Sequence, residues 1–136
     1  MSTTYILDTN HISPLVTPGH FLIKRIQAKV DRGERFAIAV PTLTELLFGI
    51  SIAPKSKQNL LLWPEVKEQF DYYDIRLKDA ERAAALQLEL RRQGWQLGTV
   101  DALIAAIALR YDLTLLTTDR DFQAIPGLPQ ENWLTH

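Results

Sequence analysis

Short apolar runs alternate along the chain with longer segments that carry apolar residues at helical spacing. The runs are YIL at 5–7, FAIAV at 36–40 and LTLL at 113–116. Continuous apolar runs of this length are typical of parallel strands, which are buried on both faces of a sheet. Strands that alternate with helices indicate an α/β fold. We therefore predict an α/β domain with a mainly parallel central sheet of four or five strands.

The same pattern predicts where individual elements begin and end. We expect strands at residues 4–8, 36–40, 71–77 and 113–119, and a last one in NWLTH at 132–136. We expect helices at residues 19–32, 41–50, 57–70, 78–94 and 99–112. Gly33 and Gly94 follow two of these helices, where glycine commonly ends a helix. Pro64 should break the third helix or start a new one, because proline lacks the N–H donor.

Length and composition are those of an ordinary globular protein. The 136 residues fit one domain, which we assign to 1–136, and 46% of them are hydrophobic. There is no cysteine, which excludes disulfides and thiolate zinc sites and fits a reducing compartment. No apolar run approaches a membrane span and no signal peptide is visible, so we expect a cytoplasmic protein without a membrane partner. The net charge of −1 says little about nucleic acid, since bound cations would cancel clustered acids.

Four acidic residues lie where predicted strands end or predicted helices begin. Asp8 ends the first strand, and Asp119 ends the last clear one. Glu45 and Asp101 lie in the first turns of helices. Ligands of parallel α/β sheets bind beyond the carboxyl ends of the strands, so these four side chains should gather at that edge.

Each acid also has a purely structural explanation. Asp8 or Asn10 could cap the turn after the first strand. Glu45 closes TLTE at 42–45, which has the form of a capping box with its first threonine at the cap. Asp101 would interact favourably with the dipole of its helix, although its apolar neighbours indicate partial burial without a basic partner. A structural role does not exclude a functional one, and the sequence leaves both open.

Acids that gather at one edge repel one another unless cations neutralise them. Carboxylate oxygens suit Mg²⁺ or Mn²⁺ rather than zinc. Such ions support phosphoryl transfer, because they activate water and stabilise the attacking and leaving oxygens. Thr9, Asn10 and Thr117 would orient the carboxylates or a water from outside the ligand set.

Four segments of the chain resemble the motifs of a known family. They are YILDTN at 5–10, TLTELLFG at 42–49, GTVDALIAAIAL at 98–109 and LLTTDRDF at 115–122. In this order they resemble PIN-domain ribonucleases, and more narrowly the VapC toxins of type II toxin–antitoxin modules. The resemblance covers nearly the whole chain and implies a three-layer α/β/α fold. It also implies cleavage of RNA that depends on Mg²⁺, with Mn²⁺ as a substitute, and inhibition by a cognate VapB-type antitoxin.

The resemblance further implies roles for individual residues. The catalytic acids would be Asp8, Glu45, Asp101 and Asp119, and the metal ligands among them would be Asp8, Asp101 and Asp119. Asp121 adds an acid beyond these four, and we place it with Thr9, Asn10 and Thr117 around the ligands. His11 stands where the family more often has an apolar residue. We expect His11 on the helix surface or beside the ligands.

Two other functions remain open. An aspartate-dependent phosphatase also has an aspartate after its first strand, but it needs a second acid two residues later, where Asn10 stands. A non-catalytic RNA- or protein-binding module would use the acids only as helix caps. A receiver-like module of this kind would want a lysine where Asp119 stands.

Two segments carry more apolar residues than one helix face needs. They are LLFGI at 46–50 and NLLLW at 59–63, and we expect the surplus to bind the antitoxin or a second copy in a homodimer. Basic residues such as Arg25 could contact an RNA backbone, but a solvated helix face is the simpler explanation. We expect Trp133 in the core or in an interface.

Overall fold

A five-stranded parallel sheet forms the centre of the computed structural model, which describes residues 3–135. The strands are β1 (Thr4–Leu7), β2 (Arg35–Ala39), β3 (Asp71–Tyr73), β4 (Thr114–Leu116) and β5 (Gln130–Glu131). Their order in the sheet is β3-β2-β1-β4-β5, and every neighbouring pair is parallel. The predicted parallel sheet is therefore confirmed.

Six α-helices and two short 3-10 helices connect the strands. The α-helices are α1 (Thr9–Ile12), α2 (Phe21–Asp31), α3 (Val40–Ile52), α4 (Ser56–Glu68), α5 (Leu77–Arg92) and α6 (Thr99–Arg110). The 3-10 helices are Ser13–Val16 and Arg120–Ala124. Within residues 3–135 no helix is long and apolar enough to cross a membrane.

Both faces of the sheet are buried, which makes the fold three layers deep. On β1, Ile6 packs into one apolar cluster with residues of α5 and α6. Its neighbours Tyr5 and Leu7 point the other way, into a cluster with α2, α3 and α4. Alternate side chains of a strand point to opposite faces, so an unbroken apolar run is what such a strand requires. Full burial of one such side chain contributes about 1.5–3 kcal/mol.

The last strand was predicted in the wrong place. Residues 132–136 were expected to form it, but β5 is Gln130–Glu131, and residue 136 lies outside the described residues. The chain turns directly after β5, because the side chain of Asn132 accepts a hydrogen bond from the N–H of Leu134 at 2.9 Å. The N–H of Trp133 donates to a histidine side chain instead of a strand.

The expected effect of Pro64 was also wrong. Helix α4 runs through Pro64 without a break. Proline removes one hydrogen bond, the one to the carbonyl of the residue four positions earlier. That residue is Leu60, whose 42% exposure leaves its surroundings open to water, which can replace the missing donor.

The predicted capping box at residues 42–45 is not formed. Helix α3 begins at Val40 after Ala39, and no side chain caps it. Pro41 fits into the first helical turn, where the missing N–H costs no hydrogen bond. Thr42 therefore lies inside the helix, buried, with its hydroxyl unpaired among residues 3–135. Glu45 falls in the second turn and has no role in capping.

The order of the strands brings distant parts of the chain together. β1 lies between β2 and β4, so connections leave β1 and β4 in different directions along the sheet. Such a point of reversal opens a crevice at the carboxyl ends of the strands. The N–H of Asp8 donates to the carbonyl of Leu116 at 3.0 Å, which continues the β1–β4 ladder to this edge.

Candidate active site

Asp8 directly follows β1 at the carboxyl edge of the sheet and is almost fully buried, with 7% of its surface exposed. One carboxylate oxygen accepts from the N–H of Thr9 at 2.9 Å, so Asp8 does cap α1. The other oxygen accepts from the hydroxyl of Thr117 at 2.8 Å and from the side-chain amide of Asn10 at 3.1 Å. The capping and functional explanations of Asp8 are thus compatible.

Residues after β4 form the other wall of the crevice. The hydroxyl of Thr117 accepts from the N–H of Asp119 at 3.0 Å while it donates to Asp8. Asp119 in turn accepts from the N–H of Asp121 at 2.9 Å and caps the 3-10 helix that follows. Thr117 therefore links the carboxylate of Asp8 to the backbone of Asp119.

Two helices bring the remaining acids to the same edge. Asp101 lies in the first turn of α6 and is partly buried, whereas Glu45 lies on α3 and is exposed. No hydrogen bond from residues 3–135 reaches either carboxylate. Asp101 nevertheless lies close enough to Asp8, Asp119, Glu45 and Asp121 for their charges to act on it. The fold thus brings the predicted acids, and Asp121, into one electrostatic cluster.

Burial and mutual repulsion disfavour the charged forms of these acids. Burial, together with the negative charges of Asp8 and Asp119, raises the pKa of Asp101 to about 7. Burial also raises the pKa of Asp8, despite the stabilising hydrogen bonds from Thr117 and Thr9. Loss of solvent and the charge of Asp8 raise the pKa of Glu45.

Another buried acid shows how a structural carboxylate differs. Asp79 accepts two hydrogen bonds from Arg110, at 2.6 and 2.7 Å. Burial alone would raise its pKa, but the bonds and the charge of Arg110, with the bond from the Arg76 N–H, lower it. Among the described residues, ion pairs involve Glu34, Asp71 and Asp79. The acids of the crevice have no such partner, so they would gain from a bound cation.

Stability without metal should therefore depend on pH through Asp101. Its carboxyl ionises near pH 4 in the unfolded chain and near 7 in the folded protein. Between these values the folded state binds more protons, so the free energy of unfolding falls as pH rises. We expect the wild type in chelator to melt several degrees lower at pH 8 than at pH 5. Asp101→Asn should remove most of this difference, and an equal slope in both proteins would contradict the pKa shift.

Substitutions of Glu45 should change catalysis without changing stability. Because Glu45 caps nothing, both Glu45→Gln and Glu45→Ala should leave the free energy of unfolding within about 0.5 kcal/mol of the wild type. Both should lose most RNA cleavage if the carboxylate acts in the site. Urea unfolding and an RNA-cleavage assay measure the two effects. Full activity in either variant would exclude Glu45 from the catalytic set.

The donor atoms of the crevice are carboxylate and hydroxyl oxygens, which fit Mg²⁺ or Mn²⁺. Within residues 3–135 no group of three or more Asp, Glu or His side chains is arranged so that it could hold a metal ion as it stands. Metal ligation by Asp8, Asp101 and Asp119 therefore stays a prediction. The unpaired charges and raised pKa values agree with it.

His11 does not lie on the helix surface, and its ring contacts Asn10 rather than any of the predicted ligands. Its side chain is fully buried, and its Nε2 accepts from the N–H of Trp133 at 3.0 Å. Its Nδ1 lies 2.7 Å from the side-chain oxygen of Asn10. Burial, helped by the charge of Arg25, lowers the pKa of His11 to about 4, so the ring is neutral at physiological pH. His11 and Trp133 are 122 positions apart in the sequence, so no local sequence pattern indicates this contact.

Arg25 and Trp133 also have structural roles. The guanidinium of Arg25 donates to the carbonyl of Trp133 at 3.1 Å and lies 4.7 Å from the centre of its ring. The indole packs edge-on against Tyr5 and Phe36. The expectation of a buried Trp133 is confirmed, and Arg25 is exposed, as expected of a solvated helix face, while it also contacts Trp133.

Comparison with known proteins identifies the family of the chain. The PIN domain family matches residues 5–128. Ribonuclease VapC2 of Rickettsia felis is 31% identical over 130 residues, which cover 95% of this chain and 97% of the relative. The tRNA(fMet)-specific endonuclease VapC of Shigella flexneri is 30% identical over 137 residues, with the same coverage of 95% and 97%.

Solved structures show the same fold. VapBC2 from Rickettsia felis, bound to a DNA fragment from its promoter, matches with a TM-score of 0.84 and 27% identity, over 96% of this chain and 99% of that one. DNA-bound VapBC from Salmonella typhimurium matches with a TM-score of 0.80 and 26% identity, over 98% and 99%. With these matches along most of its length, the chain belongs to the PIN-domain family and, within it, to the VapC proteins.

Proposed function

We propose that the protein is a Mg²⁺-dependent endoribonuclease, with Mn²⁺ as a substitute, and the toxin of a VapBC-type pair. The observation that carries this proposal is the group of unpaired carboxylates at the carboxyl edge of the sheet, whose repulsion and burial raise the pKa of Asp101 to about 7. Relatives named as ribonuclease and as tRNA(fMet)-specific endonuclease support RNA as the substrate. Cleavage of RNA would take place in the cytoplasm.

The residues of the crevice would have different roles in catalysis. Asp8, Asp101 and Asp119 would hold the ion. Bound Mg²⁺ supplies activation of a water molecule and neutralises charge at the scissile phosphate. Asp8 is held in one orientation by three donors, from Thr9, Asn10 and Thr117. Glu45 is exposed at the rim, where its carboxylate can orient a water or accept a proton.

The proposal is tested by incubating purified protein with tRNA and with other structured RNAs. We expect discrete fragments with Mg²⁺ or Mn²⁺ and intact RNA with chelator, because repulsion among the acids prevents them from working together without a cation. Gel electrophoresis of the RNA measures both results. Cleavage that persists in chelator would reject the metal. Intact RNA in every condition would favour the non-catalytic binding module.

The phosphatase alternative gains no support. Its second acid would have to stand at Asn10, whose side-chain amide instead donates to Asp8 at 3.1 Å. The phosphatase reaction needs a carboxylic acid at this position to transfer a proton, and the amide of Asn10 cannot do so.

The partner we propose is a VapB-type antitoxin, since solved relatives are VapBC complexes. An exposed apolar surface on α3 and α4 suits such a partner. Phe48 and Ile52 are each 67% exposed, and Leu61 is 81% exposed. Beside them a groove of ≈ 530 Å³ runs between α3, α4 and the segment after β1, lined by Thr9, Pro14, His20, Leu46, Ile50 and Asn59 among others.

This surface continues directly into the acid cluster. Glu45, Phe48 and Ile52 follow one another at intervals of three and four residues, so they share one face of α3. An antitoxin helix on Phe48 therefore has Glu45 one turn away. We propose that an arginine or lysine of the antitoxin inserts among the carboxylates and takes the place of the metal. A homodimer through the remaining apolar surface stays a prediction.

A further inference from the structure

A chain of buried and partly buried hydrogen bonds joins the C-terminal segment to the proposed metal site. It begins at the N–H of Trp133, which lies 3.0 Å from Nε2 of His11. It continues from Nδ1 of His11 to the side-chain oxygen of Asn10 at 2.7 Å. It ends where the Asn10 amide donates to Asp8 at 3.1 Å.

The direction of every bond in this chain follows from its first donor. A backbone N–H can only donate, so Nε2 of His11 must carry no proton and accept. In a neutral imidazole the proton then lies on Nδ1, which donates to Asn10. The oxygen of Asn10 therefore faces His11, and its NH₂ group faces Asp8. The N–H of Thr118 donates to the same Asn10 oxygen at 3.2 Å, which agrees with this orientation.

We propose that His11 is a positioning residue for RNA cleavage: by fixing the amide orientation of Asn10, it holds the carboxylate of Asp8 in the position that catalysis needs. This inference rests on the proposed nuclease function. His11 is fully buried and touches neither substrate nor metal, so it acts only through Asn10. The two ring nitrogens of His11 allow this role, because one accepts from the backbone N–H of Trp133 while the other donates to the side chain of Asn10.

A role in packing alone does not explain this residue. Burial of a polar group is unfavourable unless the group is hydrogen-bonded, and an apolar side chain would fill the same space without that requirement. An apolar residue here would leave the N–H of Trp133 without its acceptor and would remove one of the two donors that orient Asn10. The bond to Trp133 satisfies a buried backbone donor of the fold, whereas the bond to Asn10 leads to the Asp8 carboxylate and is the part that serves the site.

The first test is independent of nuclease activity. Nitrogen NMR of histidine-labelled wild type should show His11 as the neutral Nδ1–H form at pH 7. The side-chain amide of Asn10, assigned by its loss in Asn10→Ala, should give two separate proton signals that exchange slowly with water. In His11→Phe these signals should exchange faster. An Nε2–H tautomer, or an Asn10 amide unchanged in His11→Phe, would overturn the proposal even if RNA is cleaved.

The second test is a double-mutant cycle in RNA cleavage. His11→Phe should lower kcat by about 10–100-fold, as is typical when the partner of a metal ligand is changed, and leave KM for RNA nearly unchanged. His11→Gln retains an acceptor and a donor and should recover most of the activity. Ile12→Val, which alters packing at the next buried position, is the matched control and should keep wild-type kcat.

The combination of variants distinguishes positioning from a general structural defect. If His11 acts through Asn10, the double variant of His11→Phe and Asn10→Ala should cleave no more slowly than Asn10→Ala alone. Fully additive losses, or a loss in Ile12→Val as large as in His11→Phe, would overturn the proposal. If the wild type cleaves no RNA, the proposed function fails, and the amide signals of Asn10 still decide whether His11 orients it.

Discussion

Asp8→Asn should leave the protein folded and lower RNA cleavage by more than about 100-fold, beyond the effect typical for partners of a metal ligand. The substitution keeps the size of the side chain and the oxygen that accepts from Thr9 at the start of α1. It removes the negative charge, which is what a metal or an attacking water would need. Cleavage of tRNA under single-turnover conditions measures the loss.

The stability of this variant should differ little from that of the wild type. Burial raises the pKa of Asp8, so the folded protein loses an unfavourable charge when the carboxylate becomes an amide. Against this, the new NH₂ group faces the Asn10 amide and the Thr117 hydroxyl. The hydroxyl can rotate and accept instead, so the bond from Asn10, worth about 0.5–1.5 kcal/mol, is the one lost. We expect a net change within about 1 kcal/mol by urea unfolding in chelator.

A matched substitution controls for the loss of charge alone. Asp31 lies exposed in the last turn of α2, and Asp31→Asn should keep both cleavage and stability. If Asp8→Asn cleaves RNA at the wild-type rate, Asp8 has only a capping role. An unfolding free energy lowered by several kcal/mol would instead show that Asp8 is needed for the fold.

The sequence predicts those parts of the fold that local patterns determine. Strands β1, β2 and β4 are buried on both faces, which requires continuous apolar runs. Helices α5 and α6 pack against the sheet on one side, which requires apolar residues at helical spacing. The acids that end β1 and β4 could be predicted for the same reason, because parallel strands present their carboxyl ends at one edge. Asp8 and Thr117 lie 109 positions apart in sequence and still meet at 2.8 Å.

Other features depend on contacts that no local pattern contains. The start of α3 was predicted too late, because proline is compatible both with the position before a helix and with the first helical turn, where Pro41 lies. The role of His11 depends on Trp133, and that of Asp79 depends on Arg110, 31 residues away. An acid with a distant basic partner and an acid without one look alike in the sequence. Only the fold shows which acids lack a basic partner among residues 3–135.

Removal of exposed apolar side chains should separate inhibition from catalysis. We expect Phe48→Ala and Leu61→Ala to weaken binding of the antitoxin by about 30-fold or more each, the effect of losing a hot-spot residue. Both residues lie in helices, which alanine favours, and both are exposed, so the fold should be unaffected. RNA cleavage by the free variants should equal that of the wild type, since neither change alters the charge of the crevice.

The experiment uses the small reading frame beside this gene, expressed together with each variant. Leu77→Ala is the matched control, because Leu77 is 80% exposed but belongs to α5, in the layer on the other face of the sheet. We expect the antitoxin to inhibit Leu77→Ala and the wild type alike, and to inhibit Phe48→Ala and Leu61→Ala only at much higher concentration. If the antitoxin inhibits Phe48→Ala and Leu61→Ala like the wild type but fails to inhibit Leu77→Ala, the partner binds α5 instead. Its basic side chain would then have no route along α3 past Phe48 to Glu45, and displacement of the metal would need another explanation.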